Sequence, residues 1–393
     1  MSADERILTI SLHAQLATPA FVIDERQLSD NIETAASAVR GERTHLLFAM
    51  KSFSERAALA RIASDVDGLH ASSLFEAALA REVLGKAGVV HLTTPGLKGA
   101  ELPQMYALCD YLSFNSLTQW ERHRDQSVGR VSCGLRINPR LSLVPDRRYD
   151  PCRNGSKLGV PIGQLAELLE SAPARLEGIE GVLVHSNCDA TDFWPLRRTV
   201  RQLERFVRPL LERVRWINLG GGYLFDEAHD QEPLRDLLEH LRSRYSAEIF
   251  FEPGAAISRS AGYLICEVID LFEGDGNSVA ILDMSVNHMP EVFEYQFRPE
   301  VLGATPTGRW RYLLAGATCL AGDLLGEYRF DAPLQPGNRL VIAEAGAYSL
   351  VKASMFNGVN LPDFYRLTDA GELVLDRRFT YADYLSRCGA QSC

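Results

Sequence analysis

Between Glu25 and Gly254, short apolar runs alternate with amphipathic stretches of about 10–15 residues, and this rhythm limits the fold more than any other feature of the chain. Alternation of this kind is the signature of βα units built on a parallel sheet. Candidate strands are His45–Met50, Gly68–Ala71, Val89–Leu92, Tyr111–Phe114, Ser132–Ile137, Ile179–Val184, Trp216–Leu219 and Glu248–Phe251. Eight strands of this type close a (β/α)8 barrel. The helices between them include Ser54–Ala63, Leu74–Leu84, Gln164–Leu169, Thr199–Leu211 and Pro233–Arg242. The segment from Pro139 to Gly159 is long and rich in Arg, Pro and Asp, and long loops on such a scaffold more often carry function than not.

The rhythm changes after Gly254. The runs YLICEVIDLF, SVAILDM, RYLLAGA, GEYRF and RLVIAE are short, rich in β-formers and separated by Gly, Asp and Pro. They read as an antiparallel β-sandwich or β-barrel domain at the C-terminal end. Thr18–Asp24 is also strand-like and can join that sheet, which would bring both chain ends together. The expected division is a barrel over 25–260 and a β domain made of 1–24 and 261–393. Cys388 and Cys393 fall in a tail expected to be mobile.

Composition narrows the class of protein. A length of 393 residues leaves room for two domains. A formal net charge of -10 disfavours a general partner for nucleic acid or an anionic membrane. The eight cysteines show no CxxC pairs, so neither a zinc framework nor a dense disulfide scaffold is expected, and no metal site. The leading residues MSADERILTI carry acids where a signal peptide would carry a basic region. No apolar run approaches the roughly 18 residues of a membrane span, and a reducing cytoplasm is the expected location.

Chemistry in barrel enzymes gathers at the C-terminal ends of the strands. Four features of the chain fall there. Lys51 closes THLLFAMKS, and its amine is either functional or snorkelling to water. His185 follows the sixth strand, as a core histidine or a ring-stacking group. Gly220, Gly221 and Gly222 follow the seventh, either as a tight turn or as bare backbone that lets N–H groups approach phosphate oxygens. Glu252 ends the apolar run IFFEPG just before Gly254, as half of a structural ion pair or as a partner for a protonated ring nitrogen. A reactive lysine, a phosphate cradle, a carboxylate and a flat side chain together describe a pyridoxal 5'-phosphate site.

The same residues carry a family resemblance. TPAFVID, FAMKS, DGLHASSLFEA, CGLRINP, YDPCRNGSKLG, NLGGGY, FEPGAAI, ILDMSVNHMPEV, TCLAGDLLG and FNGVNLP run in order from Thr18 to Pro362. The chain resembles the fold type III pyridoxal phosphate decarboxylases, the ornithine, arginine and diaminopimelate group, with its nearest likeness to the carboxynorspermidine decarboxylase subgroup. The resemblance implies that Lys51 bonds the cofactor covalently and that His185 stacks on its ring. It implies that Glu252 pairs with the ring nitrogen. Gly220–Gly222, Gly254 and Tyr348 would hold the phosphate. Cys319 would be the acid that reprotonates the substrate carbon, and Asp323 would face the amine of the substrate's distal arm. It also implies a homodimer with shared active sites. The implied substrate is a carboxylated polyamine or diamino acid. Alternatives are decarboxylation of another amino acid in a specialised pathway, or amino-acid racemisation on the same barrel. A non-catalytic cofactor carrier is a third reading, which the further β domain disfavours.

Three stretches depart from the wider pattern. Ala255 stands where many relatives have Arg, a feature of the carboxynorspermidine subgroup. SNCDATDF after His185 and EAGAYSL around Tyr348 differ from that subgroup, and both border the substrate.

Overall fold

In a computed structural model of the chain, the apolar runs of the N-terminal half become eight parallel strands closed into a barrel. The structure describes residues 2–274 and 276–389, with Asn277 by its backbone alone. Cys393 lies outside the described residues. The chain divides into two compact units, one over Asp30–Ile257 and one formed by residues up to Ser29 with those from Ser258 onward.

The barrel strands are β1 (Thr44–Ala49), β2 (Gly68–Ala71), β3 (Val89–Thr93), β4 (Tyr111–Phe114), β5 (Ser132–Asn138), β6 (Gly181–Val184), β7 (Trp216–Asn218) and β8 (Glu248–Phe251). Each pairs in parallel with the next, and β8 closes on β1 with Ile249 opposite Thr44. Their central residues are buried, as expected for strands covered on both faces. Three of the helices between them start on side-chain caps. Ser73 accepts from the Glu76 N–H, Ser116 from that of Gln119, and Glu55 from that of Ala58. Helices Leu102–Leu108 and Leu117–Ser127 were not among those named from the sequence, because their apolar stripes are short and broken by Pro103 and by charge. The long segment after β5 forms only one short pairing, Val160–Pro161 beside Ile137 and Asn138.

The barrel interior is a packed core. Leu47, Leu183, Trp216 and Phe250 form one buried cluster. Trp216 reaches across to two strands that carry glycine where it arrives. A Cβ at Gly134 would lie 2.3 Å from its ring, and one at Gly181 1.9 Å. The large ring and the two missing side chains are therefore one arrangement. Full burial of such an aromatic is worth about 3–5 kcal/mol by truncation.

The other unit holds a sheet of eight strands. In order they are Leu324–Phe330, Trp310–Ala315, Asn277–Leu282, Gly262–Gly274, Ala20–Asp24, Asp363–Leu367 and Leu373–Arg377, with Arg339–Ile342 also paired to Gly262–Gly274. Most pairings are antiparallel. Two are parallel: Asn277–Leu282 with Trp310–Ala315, and Ala20–Asp24 with Asp363–Leu367. The early strand Ala20–Asp24 thus sits inside a sheet made by the C-terminal part. Val22, Tyr263, Ile265, Val341 and Tyr365 share its core, together with Ile7. Ile7 belongs to an N-terminal helix, Ala3–Ser11, which the sequence pattern did not announce. The Arg6 side chain pairs with the buried Asp24 carboxylate at 2.7 Å. Cys388 follows a helix, Tyr381–Arg387, and is not in a loose tail.

No helix of the described residues is long and apolar enough to cross a membrane. Among the described residues no three His, Cys, Asp or Glu side chains are grouped to hold a metal ion.

Candidate active site

The expected site residues of the barrel unit collect at the C-terminal ends of its strands. Lys51 lies in a single turn, Met50–Ser52, that follows β1. The Ser52 hydroxyl donates to the Ala49 carbonyl at 2.9 Å, and the Ala49 N–H donates to the Pro253 carbonyl at 3.0 Å. These two bonds tie the lysine turn to the segment that bears Glu252. The Lys51 side chain keeps some contact with solvent, yet its amine is enclosed enough that burial lowers its pKa. Glu252, Cys188 and Glu76 oppose that shift, and Arg136 adds to it. No described residue hydrogen bonds or ion-pairs with the amine.

Glu252 is buried. One carboxylate oxygen, Oε2, accepts from Asn218 Nδ2 at 2.9 Å and lies 3.5 Å from His70 Nε2. The second oxygen, Oε1, has no partner among the described residues. At 3.5 Å His70 is close enough for charge attraction, but neither of its ring nitrogens makes a hydrogen bond. Burial lowers the pKa of His70, with Lys51 and Arg136 adding to the effect and Glu252 opposing it. Arg136, near the end of β5, likewise has no ion-pair or hydrogen-bond partner.

His185 follows β6. Its Nδ1 accepts the Gly221 N–H at 3.0 Å, which assigns the ring proton to Nε2. Burial, with Lys51 and Arg136 nearby, holds its pKa well below the ordinary histidine value, so the ring is neutral. It remains half-buried, held by one edge.

The glycine turn is tighter than a phosphate cradle alone requires. Gly220 and Gly222 have φ of 73° and 89°, a region closed to most side chains. A Cβ at Gly221 would stand 2.4 Å from the Glu252 carbonyl oxygen, and one at Gly222 2.2 Å from that of Asn187. The N–H of Gly220 is engaged by Asn218 Oδ1 and that of Gly221 by His185. Only Gly222 of the three keeps its N–H uncommitted among the described residues. Gly254 is pressed against Ser52, whose Oγ would lie 2.7 Å from an added Cβ. In SNCDATDF, Ser186 bonds Thr199 at 2.8 Å, Asn187 is buried beneath Gly222, and Asp189 adopts a left-handed φ of 49°.

Three further expected residues lie in the sheet unit. Cys319 is exposed on the loop between Trp310–Ala315 and Leu324–Phe330, where its N–H donates to Asn357 Oδ1 at 2.9 Å. Asn357 itself has a left-handed φ of 54°. Tyr348 also has positive φ, 56°, two residues after Gly346, whose missing Cβ would fall 1.8 Å from the Ser258 carbonyl oxygen. Non-glycine residues held in that region often mark functional sites.

Asp323 differs from the expectation of a group open to a substrate amine. It is 2% exposed. Its Oδ1 accepts the Val286 N–H at 2.7 Å, and its Oδ2 accepts the Thr318 N–H at 3.1 Å and the Thr318 hydroxyl. It folds back over Gly316, where a Cβ would meet Oδ1 at 2.2 Å. Oδ2 is committed to the turn that carries Cys319, and Oδ1 to the neighbouring Val286–His288 turn.

Asn218, His70 and His91 were not among the expected site residues. Asn218 closes a barrel strand and His70 is the last polar residue of another, so the strand-end rule applied to every polar residue near a strand end would have found them.

A closed parallel barrel with enclosed, unpartnered polar groups at one rim is the layout of a barrel enzyme. The family model for the pyridoxal-dependent decarboxylases, described as the C-terminal sheet domain, matches residues 20–346, and the chain belongs to that family and is a carboxy-lyase. It is 38% identical over 382 residues to the carboxyaminopropylagmatine decarboxylase of Synechocystis sp., covering 96% of each chain. It is 31% identical over 390 residues to the carboxynorspermidine/carboxyspermidine decarboxylase of Campylobacter jejuni, covering 95% of this chain and 99% of the relative. The crystal structure of carboxynorspermidine decarboxylase from Campylobacter jejuni, complexed with norspermidine, superposes with a TM-score of 0.85 at 30% identity, covering 95% of this chain and 100% of that one.

Proposed function

We propose that the C-terminal rim of the barrel binds pyridoxal 5'-phosphate and removes the α-carboxyl group of a carboxylated polyamine, giving an amine and CO2. One observation carries this reading. Lys51 and Arg136 have no partner, neither His70 nitrogen is bonded, and Glu252 keeps one free oxygen, all among the same group of mutually interacting charges. Enclosed polar groups without partners cost on the order of 1–3 kcal/mol each, so a fold that keeps several together is suited to a ligand that completes them. This cofactor has the matching groups: an aldehyde for the amine, a ring nitrogen for the carboxylate and a phosphate for backbone N–H groups.

Lys51 would hold the cofactor covalently. Its lowered pKa makes the nucleophilic, neutral amine available at lower pH than in an exposed lysine. Glu252 Oε1 would keep the ring nitrogen protonated, and the half-buried His185 ring would lie against the cofactor face. The phosphate would meet Gly222 N–H and the turn at Gly254; the resemblance also assigns it Tyr348. When bound, the cofactor supplies the electron sink for the charge left as CO2 departs. Cys319 would donate the proton to the substrate carbon, and Arg136 would draw an anionic group toward Lys51. We read Asp323 as the anchor of the Cys319 turn, which leaves the acceptor of the distal cation to another acidic group. The active form would be a homodimer, in which the Cys319 loop serves the barrel of a second copy; the resemblance and the exposure of Cys319 support this.

The substrate class follows the relatives named above, whose substrates are carboxylated polyamines with an amine or guanidine at the far end. The test is CO2 release from carboxynorspermidine, carboxyspermidine, carboxyaminopropylagmatine, ornithine and diaminopimelate, with borohydride trapping of the cofactor on Lys51. Fastest turnover of a carboxylated polyamine, lost with Lys51→Ala, is expected. Turnover of ornithine or diaminopimelate alone, or no trapped label at Lys51, would overturn the reading.

A further inference from the structure

Asn218 closes β7 and is completely buried, yet nothing proposed so far uses it. Its side chain is a two-ended connector. Oδ1 accepts the Gly220 N–H at 2.8 Å, while Nδ2 donates to Glu252 Oε2 at 2.9 Å. The partners settle which end of the amide is which, because a backbone N–H only donates and a carboxylate only accepts. Nδ2 also lies 3.3 Å from His91 Nδ1. Burial keeps the His91 pKa well below the ordinary value, so that ring stays neutral and its Nδ1 can accept the second amide hydrogen. On the backbone side the Glu252 N–H donates to the Gly220 carbonyl at 2.9 Å. Asn218, Gly220 and Glu252 therefore form a closed ring of hydrogen bonds.

We infer that Asn218 is a positioning residue that fixes the Glu252 carboxylate, leaving Oε1 turned to the open site, and registers it against the glycine turn. The inference rests on Glu252 being the partner of the cofactor ring nitrogen. The residue type matters. A carboxylate at 218 would share a proton with Glu252, and a lysine or arginine there would neutralise the charge the ring nitrogen needs. Serine is too short to span both partners. An amide satisfies a buried carboxylate without changing its charge, and its own oxygen is held by the turn that must stay in register with it.

The test is a double-mutant cycle on the equilibrium dissociation constant of pyridoxal 5'-phosphate, measured by dialysis against the full-length apo protein. Asn218→Ala should weaken binding about tenfold or more, from the lower end of the range for one lost hydrogen bond to a charged group upward. In the Glu252→Gln background the same change should weaken it only about threefold, because the charge it positions is gone. Asn218→Asp keeps the shape and covers the case in which Asn218→Ala fails to fold. Its bound cofactor should change its visible spectrum with pH over a range where the parent's is constant. Effects of Asn218→Ala and Glu252→Gln that multiply independently, or an Asn218→Asp spectrum that follows the parent's, would overturn the inference while leaving Glu252 in its role. A Glu252→Gln protein with unchanged cofactor binding and spectrum would instead remove the Glu252 reading, and this inference with it.

Discussion

Replacing Asp323 by Ala separates two roles that the sequence alone left merged. The carboxylate accepts three hydrogen bonds, from the Val286 N–H, the Thr318 N–H and the Thr318 hydroxyl, at a position that is 2% exposed. Hydrogen bonds to a charged group contribute about 1.5–3 kcal/mol each, and a backbone N–H left buried without a partner costs about 1–3 kcal/mol. Water can enter the space vacated by the carboxylate and offset part of this. The net loss is then about 3–5 kcal/mol, among the largest for a single substitution. It should be concentrated in the Gly316–Asp323 turn. Hydrogen exchange of peptides covering Met284–His288 and Gly316–Asp323 should accelerate about 100-fold or more, while exchange in the barrel strands stays as in the parent. The denaturant midpoint should fall as well, and kcat should drop because the Cys319 turn loses its shape. A variant with parental exchange and midpoint, but with KM raised selectively for substrates bearing a distal amine, would refute the anchoring argument and return Asp323 to the substrate.

Three further outcomes are expected. In the unfolded chain His288 takes its proton near pH 6.5, but burial delays this in the folded protein to about 4. Between those values the unfolded chain binds more protons, so stability falls as pH falls; His288→Gln should recover up to about 3 kcal/mol of that slope in pH-dependent unfolding. Arg136 lowers and Glu252 raises the Lys51 pKa, so the pH midpoint for borohydride-trapped cofactor on Lys51 should move up in Arg136→Gln and down in Glu252→Gln. Opposite or absent movements would show that these charges do not act on the amine. Gly181→Ala should destabilise the barrel by about 1–3 kcal/mol or more in thermal unfolding, and Trp216→Leu in the same chain should relieve the clash.

Much of the barrel was legible because parallel strands buried on both faces leave continuous apolar runs. All eight candidate strands overlap observed ones, and Gly68–Ala71, Tyr111–Phe114 and Glu248–Phe251 match to the residue. The sheet unit was legible as β-rich and as a sheet that Thr18–Asp24 can join, but not in its strand order. Its two parallel pairings join strands distant in sequence, and local pattern carries no record of which strand lies beside which. The same reason hid the inward turn of Asp323. In sequence it is an acid beside Cys319, and only the fold brings Val286 against it. The glycines of NLGGGY were read as bare backbone for a phosphate, whereas two of their N–H groups are held by Asn218 and His185. A hydrogen bond to a side chain leaves no trace in the spelling of a turn. His70 and Asn218 were passed over for a different reason, since a single polar residue near the end of an apolar strand looks like ordinary punctuation.

The indole of Trp216, laid across Gly134 and Gly181, acts as a stopper in the barrel. Nothing can drain through the far end, so whatever enters the barrel's mouth must back out the way it came. With the substrate bound at that rim as proposed, reactant and amine product would share one doorway, and a slowly departing product would throttle turnover even if the bond-breaking step were fast.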